Sequence, residues 1–170
     1  MVLVLFGLSG LSAARAQLLS VQQAVDTVNI DSMVWHLERL SGEVPVTIGV
    51  EEATISSRYQ SNAGNALAAV WLQQQFMAMG YAPTVQVFGT SGANILAVKP
   101  GAIHPERSVV ICAHYDDMPG GPGDAPGADD NGSGVCAVLE AARVLAGNAF
   151  ENSVVFALWD EEEQGLIGSA

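Results

Sequence analysis

Residues 113–134 read AHYDDMPGGPGDAPGADDNGSG, with one histidine, five aspartates and neither lysine nor arginine. Downstream, Asp160, Glu161, Glu162 and Glu163 follow one another directly, again with no basic residue nearby. Like charges a few ångströms apart repel, and burial raises the cost. Such groups must be solvated, paired with cations or bound to a metal. The acidic run alone reads equally well as a solvated loop, and a lone His114 as an ordinary structural histidine. Their placement on two neighbouring strand ends, with GADDNGSG opening the helix between them, points to a divalent metal. If the strand stays extended, His114 and Asp116 face the same way, and a carboxylate beside a histidine can fix its tautomer and orientation.

The glycine-rich loop raises an alternative, because a helix N-terminus suits an anion. The stretch GPGDAPGADDNGSG lacks the lysine of a P-loop, does not fit G-x-G-x-x-G, and adds Asp124, Asp129 and Asp130 of its own. Phosphate would be repelled where a cation would be held. An acidic calcium-binding module also accounts for the aspartates, but calcium prefers oxygen and has no need of His114.

The elements that must carry these groups are legible in outline. Ser20 and Gln23 have the form of a capping box before a short helix. DSMVWHLERLSG reads as a helix capped at Asp31 or Ser32 and stopped at Gly42, with His36 as a surface or edge histidine. A longer helix runs from Asn62 to Met79 and ends at Gly80. TVQVF and NILAV suggest a hairpin across residues 89–92. SVVICA (108–113) and SVVFALW (153–159) are continuous apolar runs, expected of strands covered on both faces, and GVCAVLEAARVLA between them is a helix. Strand, helix, strand implies a right-handed parallel crossover, and ligands then gather at the carboxyl ends of the strands. The expected fold class is α/β, a mixed, largely parallel sheet flanked by helices on both faces.

The chain of 170 residues, 49% hydrophobic, suits one domain with a real core. A formal net charge of -12 repels phosphate backbones and anionic lipid surfaces, which argues against nucleic acid as a partner. Val2 to Ala14 is apolar but too short to span a bilayer, and Ala14-Arg15-Ala16 has the form of a cleavage site. Residues 1–16 are therefore read as a signal peptide and the protein as exported, periplasmic or extracellular. Cys112 and Cys136 both lie in apolar segments and are read as buried thiols.

Three motifs, AHYD (113–116), APGADDNGSGV (125–135) and LWDEEEQGLIGS (158–169), stand in the order and approximate spacing of a known family. From Asn62 to the last residue the sequence resembles the zinc-dependent exopeptidases with two co-catalytic metals, the bacterial leucine aminopeptidase and glutamate carboxypeptidase group, peptidase family M28. The resemblance implies the zinc-exopeptidase (phosphorylase/hydrolase-like) fold, two zinc ions and hydrolysis of terminal peptide bonds, with peptide or protein N-termini as substrate. It implies that His114 binds one zinc, that Asp130 bridges both and is followed by a cis peptide, and that Glu163 binds the other. Glu162 would be the general base and Asp116 the carboxylate that orients His114.

The resemblance also implies two further ligands, an acidic residue and a histidine, after the GLIGS segment. Residues 17–170 are accordingly read as the N-terminal part of a catalytic domain, incomplete at the C-terminus and inactive alone. The resemblance leaves open an aminopeptidase, a carboxypeptidase, a glutaminyl cyclase relative or a non-catalytic binding domain of the same fold. Every ligand implied within the matched stretch is present, which favours the enzyme. The sequence says nothing of oligomeric state.

Overall fold

The computed structural model describes residues 20–118 and 125–170. The export signal read at residues 1–16 lies outside the described residues. Helix α1 (Val21–Asp26) begins with the expected capping box: Ser20 Oγ accepts the Gln23 N–H at 3.2 Å, and Gln23 Oε1 accepts the Ser20 N–H at 2.9 Å. Helix α2 (Ile30–Leu40) starts earlier than expected, because the Asn29 side chain caps it by accepting the Ser32 N–H at 3.1 Å. It ends at Ser41, before Gly42 at φ 80°, where a side chain would strike the Ile55 carbonyl. A hairpin of β1 (Val46–Ile48) and β2 (Glu51–Ala53) follows. Three-residue strands carry too little alternation to be seen in sequence.

Helix α3 (Ala63–Ala78) is capped by Asn62, whose side chain accepts the Gly64 N–H at 2.8 Å. Strands β3 (Thr84–Phe88) and β4 (Gly92–Lys99) form the expected hairpin. Strand β5 (His104–His114) leads through the acidic loop to α4 (Gly134–Leu145) and then β6 (Asn152–Trp159). The sheet order is β3-β4-β6-β5; β5 and β6 are parallel, and the other two pairings are antiparallel.

The mixed α/β architecture expected from the sequence is present, with two corrections. Among the described residues the parallel share is a single pairing rather than most of the sheet, because the β3–β4 hairpin meets β6 antiparallel. Helices α3 and α4 also pack into one core on one face: Trp71, Leu72 and Phe76 meet Leu139, Ala142, Ile95, Phe156 and Leu158 there. Side chains alternate along a strand, so Val98, Val110 and Cys112 lie on the other face, where Val98 and Val110 are about half exposed. Edge strand β5 is thus covered on one face only by described elements.

Two single-residue readings are corrected as well. Cys112 is exposed on that second face, and only Cys136 is buried. His36 is buried, edge-on to Trp35 at 5.0 Å and to Trp71 at 5.8 Å. Burial, helped by Arg39 and opposed by Glu140, lowers its pKa to about 4.

Candidate metal centre

The site forms where β5 and β6 end together. His114 is in register with Trp159, and the Tyr115 N–H continues the pairing to the Trp159 carbonyl at 2.8 Å. The segments after both strands therefore leave the sheet at one rim. Alternation turns His114 and Asp116 the same way, as expected: His114 Nδ1 stands 3.5 Å from Asp116 Oδ1 and 3.2 Å from the Asp116 carbonyl oxygen. A carbonyl oxygen only accepts, so Nδ1 carries the proton and Nε2 is turned toward the rim.

Asp116 is buried, and its carboxylate has a second task. Oδ1 accepts the Glu162 N–H at 3.1 Å and Oδ2 the Glu163 N–H at 3.2 Å. One side chain from the end of β5 thus fixes both the imidazole and the backbone of the acidic run.

That run divides into two halves. Asp160 turns inward: Oδ1 accepts from Asn65 Nδ2 at 2.9 Å and the Glu161 N–H at 3.0 Å, and Oδ2 from the Tyr115 hydroxyl at 2.9 Å and the Ala93 N–H at 3.0 Å. Burial still raises the Asp160 pKa against these donors. Glu161, at φ 54°, is also buried and accepts from Ser91 Oγ at 3.1 Å. Glu162 and Glu163 reach the rim.

From the other side comes the loop before α4. Asn131 Oδ1 accepts the Gly134 N–H at 3.1 Å, the Gly132 N–H reaches the Gly127 carbonyl at 2.9 Å, and the Asp130–Asn131 peptide is cis. The largely exposed Asp130 side chain places Oδ1 3.2 Å from His114 Nε2. Glu162 Oε2 lies 3.8 Å from the same nitrogen. One donor atom each from His114, Glu162 and Glu163 fall within 4.8 Å of one another.

All five residues singled out in the sequence therefore meet: His114, Asp116, Asp130, Glu162 and Glu163. Glu162, expected as a proton carrier, sits within the same tight set of donors as Glu163. His36 lies in the core among tryptophans, and His104 stands at the far end of β5 beside Glu106, so neither reaches the rim. Sequence reasoning missed the anchors Asn65 and Ser91 and the inward turn of Asp160 and Glu161, which carry no local signal.

The electrostatics favour positive charge at this rim. Burial, the largest influence, lowers the His114 pKa, but the hydrogen bond and charge of Asp116 with the charge of Glu162 outweigh it and raise it to about 9. Burial, then Asp130, raises the Glu163 pKa. A divalent cation such as zinc could take the place of the proton on Nε2, and that nitrogen with several carboxylates within a few ångströms forms a donor set that fits it.

The chain is also similar to known proteins. The model of peptidase family M28 matches residues 94–170, from β4 through the acidic run. A probable zinc metalloprotease of Pyrenophora tritici-repentis is 33% identical over 119 residues, 68% of this chain and 24% of that protein. Leucine aminopeptidase 1 of Arthroderma otae is 35% identical over 136 residues, 69% of this chain and 36% of that protein. The chain thus spans well under half the length of these curated relatives. Among solved structures, the LapA aminopeptidase of Legionella pneumophila superposes with a TM-score of 0.71 at 22% identity, over 99% of this chain and 46% of that one. A glutaminyl cyclase of Porphyromonas gingivalis gives 0.66 at 23% identity, over 85% of this chain and 52% of that one. At these identities the structural likeness speaks for the fold. Residues 94–170, which hold every residue of the rim, are the part of the chain that carries the likeness to peptidase family M28.

Proposed function

We propose that this chain supplies metal ligands and the general base of a zinc exopeptidase centre that hydrolyses the terminal bond at peptide N-termini. The observation that carries the reading is the convergence of His114, Asp130, Glu162 and Glu163, from three separate segments, on one rim. Relatives named leucine aminopeptidase favour the amino end.

In this reading His114, through Nε2, Asp130 and Glu163 would be ligands of a pair of zinc ions. Zinc, when bound, polarises the scissile carbonyl and lowers the pKa of water at the site. Glu162, about one third exposed, takes the proton from the attacking water and hands it to the leaving amine. Asp116 keeps the proton of His114 on Nδ1 and holds the backbone of Glu162 and Glu163 in place. Two zinc ions need more donors than these, and neither His36 nor His104 stands at the rim. The 170-residue chain by itself should accordingly take up zinc weakly and show no turnover. The apolar run 2–14 with Ala14-Arg15-Ala16 supports export, and a mature N-terminus at Gln17 would be its signature.

The test is an assay of the whole protein with an aminoacyl reporter and with a peptide bearing N-terminal glutamine. Release of the amino-terminal residue, lost in Glu162→Gln, is expected. Cyclisation of the glutamine without cleavage, or no reaction with either probe, would refute the peptidase reading.

A further inference from the structure

Four backbone carbonyls from three segments converge on one buried side chain. Arg58 is fully buried. Its Nε donates to the Tyr115 carbonyl at 2.5 Å, Nη1 to that of Leu40 at 2.9 Å and to that of Pro126, and Nη2 to that of Gly127 at 2.7 Å. Its backbone repeats the pattern: the Arg58 N–H reaches the Ala125 carbonyl at 2.8 Å, and the Arg58 carbonyl accepts the Asp117 N–H at 3.2 Å. Tyr115 lies between His114 and Asp116, and Gly127 is three residues before Asp130. A Cβ on Gly127 would collide with the Asp117 and Arg58 side chains, so this glycine lets the loop close onto the guanidinium. The planar fork of five N–H groups matches carbonyls arriving from several directions; a lysine ammonium, a point charge with three donors, cannot reach them all.

Without Arg58 the Tyr115, Leu40 and Pro126 carbonyl oxygens would lose its N–H donors in the interior, that of Gly127 keeping the Gly132 N–H, and the two segments would have reason to separate. We infer that Arg58 is a positioning residue of the metal centre: by tying the end of β5 to the 125–130 loop it sets the distance between the His114 imidazole and the Asp130 carboxylate. The inference rests on the zinc reading above but assigns a task to a residue that touches neither metal nor substrate. It also locates a cation for the AHYD and GADDNGSG segments, which the local sequence lacks.

The experiment titrates zinc into the whole protein, its Arg58→Lys and its Arg58→Gln forms, and follows thermal unfolding with and without zinc. Arg58→Lys, which keeps the charge, is expected to unfold cooperatively yet bind zinc at least tenfold more weakly, so that zinc raises its Tm by less than it raises the parent's. Cobalt substituted for zinc should show altered visible bands. An arginine with a purely structural task would instead lower Tm equally in the presence and absence of zinc, leaving the zinc increment intact, and that result would overturn the inference. Failure of both variants to fold would overturn it too, since Arg58 would then serve the fold as a whole. A parent protein that binds no zinc would sink the metal reading itself, a failure visible before any substitution is made.

Discussion

Asp116 Oδ1 accepts the backbone N–H of Glu162 at 3.1 Å while standing 3.5 Å from Nδ1 of His114. A single buried carboxylate thus couples the two strand ends across the rim. Asp116→Asn would put an amide donor where an acceptor is needed, against either a backbone N–H or the imidazole. Zinc affinity measured by calorimetry should fall by about 10- to 100-fold in this variant. An unchanged affinity would show that His114 and the acidic run are held by other contacts.

Glu162 and Glu163 are adjacent, yet distinct tasks are proposed for them. Glu162→Gln should keep its zinc and lose turnover by about 100-fold or more, whereas Glu163→Gln should lose zinc. Metal analysis beside a reporter assay separates the outcomes. Because Glu162 lies within the same tight donor set, loss of zinc from Glu162→Gln would make it a ligand.

Asp160 anchors the turn with four donors, from Asn65, Glu161, Tyr115 and Ala93. Asp160→Ala leaves the Glu161 and Ala93 N–H groups unpaired, while Asn65 Nδ2 keeps the Arg58 carbonyl and the Tyr115 hydroxyl that of Ala93, and each lost partner costs about 1–3 kcal/mol before relaxation. A total loss of about 3–5 kcal/mol is expected from urea unfolding, with zinc affinity falling alongside as the turn carrying Glu163 loosens.

His36 gives the fold a pH dependence separate from the metal centre. Its folded pKa of about 4 lies below the ordinary 6.5, so the unfolded chain binds a proton that the folded chain refuses. Stability from this group is therefore complete above about pH 6.5 and lost as pH falls toward about 4. Between pH 7 and pH 5 the loss is about 2 kcal/mol. The variant His36→Phe keeps a ring between Trp35 and Trp71 and removes the titration. Its urea midpoint should fall less over that range than the parent's, and parallel curves would contradict the assignment.

The candidate site was more legible in the sequence than the surface of the sheet. Spacing of two on an extended strand sufficed to put His114 beside Asp116, and a parallel crossover sufficed to bring Asp160–Glu163 to the same rim. The division of that run was not legible. It depends on donors 95, 45 and 67 residues away, at Asn65, Tyr115 and Ala93, and on the backbone turn at Glu161. The same blindness hid Arg58, whose partners are carbonyls and carry no side-chain signature. His36 was misplaced because helical spacing defines a face without revealing that Trp71 stands opposite. Continuous apolar runs in β5 and β6 suggested cover on both faces, but an apolar pattern does not identify what packs on it, and Val110 and Cys112 are exposed among the described residues.

If a divalent cation draws these acids and one imidazole together, anomalous diffraction at the zinc edge from crystals of the whole protein should locate it. An anomalous peak is expected about 2.0–2.2 Å from His114 Nε2 and from an Asp130 oxygen, with a second peak beside Glu163. Zinc found only at exposed carboxylates elsewhere, with His114 and Asp130 turned apart, would contradict it.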